Sequence, residues 1–100
     1  MSIQALDPDE IILALKNLPL WELAEDGTTL ICEIKFPDFR AAIAFIVRLG
    51  FECENQNHHA EIFNAYNIVK LGLNTHDAGN RITEKDLQLA RKVGELVASS

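Results

Sequence analysis

The sequence predicts an α+β layer fold: a four-stranded antiparallel sheet with three helices on one face, in the order α-β-β-α-β-β-α. Three observations predict it. Strand-like runs come in two pairs. Each pair is joined by turn residues, Glu25-Asp26-Gly27-Thr28 in the first and Asn64 to Asn67 in the second. Segments of helical period precede, separate and follow the pairs. Hairpin-joined strands make an antiparallel sheet, and helices outside the hairpins must cover it.

The first helix starts at Asp7-Pro8-Asp9-Glu10, with Asp as N-cap, Pro at the first helical position and Glu three residues after the cap. Ile11, Ile12, Leu15 and Leu18 follow at helical spacing and Pro19 ends the run. A strand begins at Leu20-Trp21-Glu22-Leu23, and a second runs from Thr29 to Phe36 after the Asp-Gly turn. In the second, Leu30, Cys32, Ile34 and Phe36 share one face, with Glu33 and Lys35 on the other.

Pro37 opens the longest helix, which extends to about Asn55. Arg40, Ala44, Arg48 and Glu52 fall on one line at steps of four, and Arg48 is expected to pair with Glu52. Almost everything else from Ala41 to Phe51 is apolar. Phe39, Ile43, Ile46, Gly50 and Cys53 are expected to cover the sheet. Phe45, Leu49 and Ala41 would then face other helices or a second subunit. Ile62 to Tyr66 and Ile68 to Thr75 form the second hairpin, with Val69, Leu71 and Leu73 on one face. After a loop from His76 to Asn80, Thr83 and Asp86 make a capping box and Ile82 and Leu87 a hydrophobic staple. The staple and box start a helix that buries Leu89, Ala90, Val93, Leu96 and Val97. Asp86 is expected to hold the His76 loop in place. Gly94 in this helix points to close helix packing.

One hundred residues make one domain, residues 1–100, with a modest core that oligomerisation would help to stabilise. The formal charge of −6 and the lack of a Lys/Arg cluster argue against direct nucleic-acid binding. The longest wholly apolar run, Ala41 to Val47, is too short to span a membrane. The sequence opens without a basic region followed by an apolar stretch, so no secretory signal is expected. Cys32 and Cys53 read as buried free thiols in a reducing compartment, which makes the cytoplasm the expected location.

The three histidines are the candidate chemical groups. His58 and His59 lie at one end of the second hairpin and His76 at the other, and a strand–turn–strand brings its ends together. Imidazole can give or take a proton near neutral pH, which suits loss of water. Three histidines can also hold zinc, although adjacent histidines on an extended strand point to opposite faces. Packed or surface histidines without a chemical role are the third option. Glu54, four residues before His58, could orient an imidazole.

The pattern Glu54-x3-His58-His59-Ala60-x5-Tyr66-x9-His76-x9-Asp86 resembles that of the pterin-4a-carbinolamine dehydratases. So do Trp21 ahead of a strand, Phe36-Pro37-Asp38-Phe39, Asn64-x-Tyr66-Asn67 and Thr75-His76-Asp77. The likeness runs from about Asp7 to Val97. Ala60 replaces the usual Pro and Asn80 a usual Gly; neither change removes a titrating group. The resemblance implies dehydration of a 4a-hydroxytetrahydropterin to the quinonoid dihydropterin in tetrahydrobiopterin recycling. It implies His58 and His76 as the acid–base pair, and His59, Trp21, Glu54 and Asp77 as substrate-binding residues. Neither a metal nor an organic cofactor is implied, because substrate and product differ only by water. The expected assembly is a homo-oligomer, a dimer or tetramer. The alternative is a non-catalytic binding protein of the same fold, a transcription-factor dimerisation cofactor or an enzyme assembly chaperone.

Overall fold

The computed structural model describes residues 4–100. Its elements are α1 (Pro8–Leu15), β1 (Glu22–Leu23), β2 (Leu30–Lys35), α2 (Phe39–Gln56), β3 (Glu61–Ala65), β4 (Ile68–Leu73) and α3 (Glu84–Ala98). A single 3-10 turn, His76–Ala78, lies between β4 and α3. The predicted element order is the observed one.

The four strands are antiparallel in the order β1-β2-β4-β3. The central pair is in register from Leu30↔Leu73 to Lys35↔Ile68. That register puts Leu30, Cys32, Ile34, Val69, Leu71 and Leu73 on one face, and all six are buried. Glu33, Lys35 and Lys70 point the other way and are exposed. The alternation read from the sequence is therefore the inside–outside alternation of the sheet. Asn67 fastens the hairpin to the end of β2: its Nδ2 donates to the Phe36 carbonyl, and its own carbonyl accepts from the Phe36 N–H.

The helices begin where side chains can satisfy their free N–H groups. Asp7 and Glu10 form a reciprocal capping box on α1. Asp38, not Pro37, sets the start of α2, its carboxylate accepting from Ala41 N at 2.8 Å. On α3, Thr83 and Asp86 form the expected box, with Ile82 and Leu87 both buried beside it.

Several expectations are corrected. In α1 Ile11 is buried but Ile12 is exposed, because adjacent helical positions point about 100° apart and only one side of the helix meets the core; the helix ends at Leu15 and the chain continues to Leu18 in tighter i→i−3 turns. β1 holds only two residues, and Trp21 lies just before it. The largest correction is the face of α2. Ala42, Phe45, Leu49 and Cys53 are buried, whereas Phe39 and Ile43 lie outside. Phe45 stacks at a tilt on Phe36, ring centroids 5.1 Å apart, and both it and Leu49 are fully enclosed. Each enclosed side chain of this size contributes about 1.5–3 kcal/mol. The exposed line left over is Phe39, Ile43, Val47 and Phe51, at steps of four. Arg48 does not pair with Glu52. Its guanidinium reaches the Ser99 and Ser100 hydroxyls, tying α2 to the end of α3. Gly94 is not explained by close packing, since a Cβ there would meet nothing within 4 Å.

Candidate active site

The site is built where α2 ends. Asn57 adopts the left-handed conformation, φ 49° and ψ 44°. Its N–H bonds to the Glu54 carbonyl and the next N–H, of His58, to the Cys53 carbonyl. These are the 5→2 and 6→1 bonds of a Schellman ending, with Asn standing where Gly is commoner. The turn sends His58 inward, 8% exposed, and His59 outward. Adjacent histidines thus receive opposite environments.

His58 Nε2 lies 2.5 Å from Asp86 Oδ1, in the first turn of α3. Asp86 is fully buried, and its other oxygen is also engaged. Oδ2 accepts from Thr83 N and from Thr75 Oγ1, each at 2.8 Å. Thr83 Oγ1 sits 2.7 Å from Thr75 Oγ1 and accepts from Lys85 N. Thr75 spends its proton on Asp86, so Thr83 donates to Thr75. The buried carboxylate is fully satisfied, as a charge removed from water must be. Asp86 holds the His76 loop through Thr75, as expected. It also holds His58, which the sequence did not disclose.

His76 opens the 3-10 turn at the end of β4 and is exposed. Its Nδ1 is 3.1 Å from Asn80 Oδ1, and an amide oxygen only accepts, so Nδ1 carries the proton. Asn80 supplies that oxygen from a positive φ of 60°, the conformation that Asn tolerates in place of Gly. Thr75 pairs with Arg81 across the loop, N–H to carbonyl at 2.8 Å, and closes its base.

His58, His59 and His76 line one cleft of about 300 Å³, together with Asn57, Asn74, Thr75, Asp77 and Lys85. Of the six site residues expected from the sequence, the cleft gathers four: the three histidines and Asp77. Glu54 is not among its lining residues, and it orients His59 rather than His58, Oε2 to Nε2 at 2.6 Å. Trp21 does not line it either. The indole is buried against α3 and faces a separate, larger cavity bounded by Pro19, Ala90 and Gly94. The sequence reading missed Lys85, the cleft's cation, and Asn57. Lys85 sits between the two residues of a capping box and reads there as an ordinary first-turn residue. Asn57 carried a usable signal, an Asn just past a helical run.

No group of three His, Cys, Asp or Glu side chains among the described residues is arranged to hold a metal ion. Nor is any described helix long and apolar enough to cross a membrane.

A small α+β domain face with three imidazoles in one cleft defines a site suited to moving protons on a small polar molecule. Comparison with known proteins is specific about the class. Residues 4–96 match the model of the pterin 4 alpha carbinolamine dehydratase family. A relative from Gloeobacter violaceus is 45% identical over 87 residues, covering 85% of this chain and 94% of its own length. One from Thermomicrobium roseum is 42% identical over 93 residues, covering 93% and 97%. Both carry the provisional name pterin-4-alpha-carbinolamine dehydratase. A crystal structure from Brucella melitensis, described as a transcriptional coactivator/pterin dehydratase, superposes with a TM-score of 0.89 at 34% identity, covering 93% of this chain and 98% of that one. The chain belongs to the pterin-4a-carbinolamine dehydratase family.

Proposed function

We propose that this protein is a dehydratase, converting a 4a-hydroxytetrahydropterin to the quinonoid dihydropterin and water. The observation that carries the reading is the shared cleft: a buried imidazole on a carboxylate and an exposed imidazole on an amide oxygen, in a chain of this family. Hydroxide is a poor leaving group, and N5 must lose its proton. One acid and one base suffice, each contributing typically 10²–10⁴-fold. His58 and His76 form that pair. His59, held by Glu54 at the rim, orients the pterin ring, and Asp77 on the adjoining turn accepts hydrogen bonds from it. The role fits tetrahydrobiopterin recycling in the cytoplasm, with residues 1–100 acting as one domain.

The protein acts as a homo-oligomer. Phe39, Ile43, Val47 and Phe51 make a continuous apolar line on the outer side of α2, and β3 is an edge strand with Ile62 and Phe63 exposed. Contiguous apolar surface and an open strand edge are the two features that a second copy of the chain would cover. The same line supports the second reading, a binding role toward another protein, which the description of the Brucella melitensis relative as a coactivator favours.

The deciding experiment is an assay of the purified protein on freshly generated carbinolamine. Quinonoid product must form faster than the spontaneous rate, and the excess must vanish in the double variant His58→Ala/His76→Ala. A rate equal to the buffer control leaves the binding role as the function.

A further inference from the structure

From the hydrogen bonds that run from the β1–β2 turn to the histidine cleft, we propose that Asn74 is a specificity-determining residue that accepts from the 2-amino group of the pterin ring. Asp26, Thr28 and Thr29 are the positioning residues that leave its amide oxygen free for that group. The proposal rests on the dehydratase reading for the identity of the ring.

The arrangement begins in local sequence. Asp26-Gly27-Thr28 makes an Asx turn: Asp26 Oδ1 accepts from Thr28 N at 3.0 Å, and Gly27 takes a φ of 76° between them. The same oxygen accepts from Thr28 Oγ1 at 2.8 Å. These two bonds, the backbone one first, hold the Asp26 carboxyl below the ordinary carboxylate range. It is an anion at neutral pH and only accepts. The one hydroxyl proton of Thr28 is thereby committed. Thr29 Oγ1, 3.3 Å from Thr28 Oγ1, is then the donor of that contact. With its own proton spent, Thr29 presents lone pairs to Asn74, whose Nδ2 donates to it at 3.1 Å. Each proton along the row points towards Asp26, and the Asn74 oxygen is the atom left over.

The sheet delivers that atom to the site. The β2–β4 register, Leu30↔Leu73, continued by one residue sets Thr29 opposite Asn74. Asn74 lines the same cleft as the three histidines. Its Oδ1 accepts from no described residue and is not sealed from solvent. Asn57 and Asp77 also line the cleft, but both are exposed, whereas Asn74 is half-buried with its amide held. A pterin carries its 2-amino group across the pyrimidine ring from C4a, and that group is a donor. A fixed acceptor there favours a 2-amino ring over a 2-oxo ring, which would set lone pairs against lone pairs. Asn74 thus selects the ring without sharing in the proton transfers.

The experiment is fluorescence titration of the purified protein with pterin and with lumazine, the same bicycle bearing an oxygen in place of the 2-amino group. Turnover on carbinolamine and circular dichroism run alongside. The wild-type protein should bind pterin at least about tenfold more tightly than lumazine. Asn74→Ala and Thr29→Val should bring the two affinities within about threefold of each other while the circular dichroism stays native. Thr29→Ser restores the hydroxyl and should restore the preference, which a merely structural role for Thr29 would not require. Asp26→Ala, which frees the Thr28 proton, should narrow the preference as well. Equal affinities in a wild-type protein that turns over carbinolamine overturn the inference and leave the dehydratase reading standing. An unchanged preference in Asn74→Ala or Thr29→Val also overturns it, and in Asp26→Ala overturns the part given to the turn. A pterin preference without turnover sinks the dehydratase reading instead and leaves Asn74 as the reader of a bound pterin. Absence of both binding and turnover removes both.

Discussion

Glu54 Oε2 lies 2.6 Å from His59 Nε2, joining the last turn of α2 to the residue that follows its left-handed ending. The two side chains are 76% and 63% exposed, so the pair contributes little to stability, about 0–1 kcal/mol. Its effect is on geometry: it restricts where the His59 ring can lie at the mouth of the cleft. Glu54→Gln should leave the melting temperature within about 2 °C of wild type, consistent with so small an energy in a chain of this size. Steady-state kinetics should show KM raised about three- to tenfold with kcat little changed, the pattern of lost uniform binding. A fall in kcat with KM unmoved would place Glu54 in the chemistry instead.

His76 makes one side-chain hydrogen bond, to Asn80, and is exposed. Its removal should cost the fold almost nothing, because exposed positions away from caps and core change stability within about 0.5 kcal/mol. The expected result for His76→Ala is a native circular dichroism spectrum and kcat reduced at least about a hundredfold. Turnover near the wild-type value would remove His76 from the acid–base pair.

Trp21 and Lys85 offer a paired test of where the substrate sits. Trp21 faces a cavity beside α3, and Lys85 lines the histidine cleft. Trp21→Phe should therefore leave kcat/KM within about twofold while lowering stability by about 1–3 kcal/mol, as deleting part of a buried side chain does. Lys85→Gln should raise KM about three- to tenfold, with stability unaltered, since the pterin ring offers carbonyl and ring-nitrogen acceptors to a cation. Kinetics and melting curves on the two variants read both. The reverse result would move the pterin to the indole cavity.

The strands were legible because alternation at Leu30-Cys32-Ile34 and Val69-Leu71-Leu73 has a single solution once one face is wet. The caps at Asp7 and Thr83 were legible because their chemistry is local. The buried face of α2 was not. Between Ala41 and Phe51 nearly every position is apolar, so periodicity cannot choose among stripes, and only the rest of the core selects Ala42, Phe45 and Leu49. The histidine cluster could be read because a hairpin returns the chain on itself. Asp86 on His58 could not, because that contact joins residues 28 apart across two elements whose angle the sequence does not state.

The apolar line on α2 makes a direct prediction about assembly. Phe51 is 68% exposed, so a charge there disturbs no core contact within one copy of the chain. Phe51→Glu should leave the circular dichroism spectrum native. It should shift the sedimentation coefficient to a smaller species, because burying an unpaired carboxylate at an interface is prohibitive. A wild-type protein that sediments as a monomer would refute the oligomer directly.

Cys32 is buried on the inner face of the sheet, and burial pushes its thiol up to about 12 from an ordinary value near 9. The cause is desolvation: the thiolate would lose its hydration among apolar neighbours. Two outcomes follow. In the folded protein at pH 8 the thiol is almost wholly protonated, so alkylation by iodoacetamide should be negligible until denaturant is added, as peptide mass spectrometry would show. Stability should also depend on alkaline pH. The unfolded chain loses the thiol proton near its ordinary value while the folded chain keeps it to about 12. Deprotonation therefore favours the unfolded state, and stability falls as pH climbs from about 9 towards 12. Cys32→Ala should flatten part of that slope at the cost of a small cavity. Rapid labelling of native Cys32 at pH 8 would show that the inner face of the sheet opens far more readily than its burial implies.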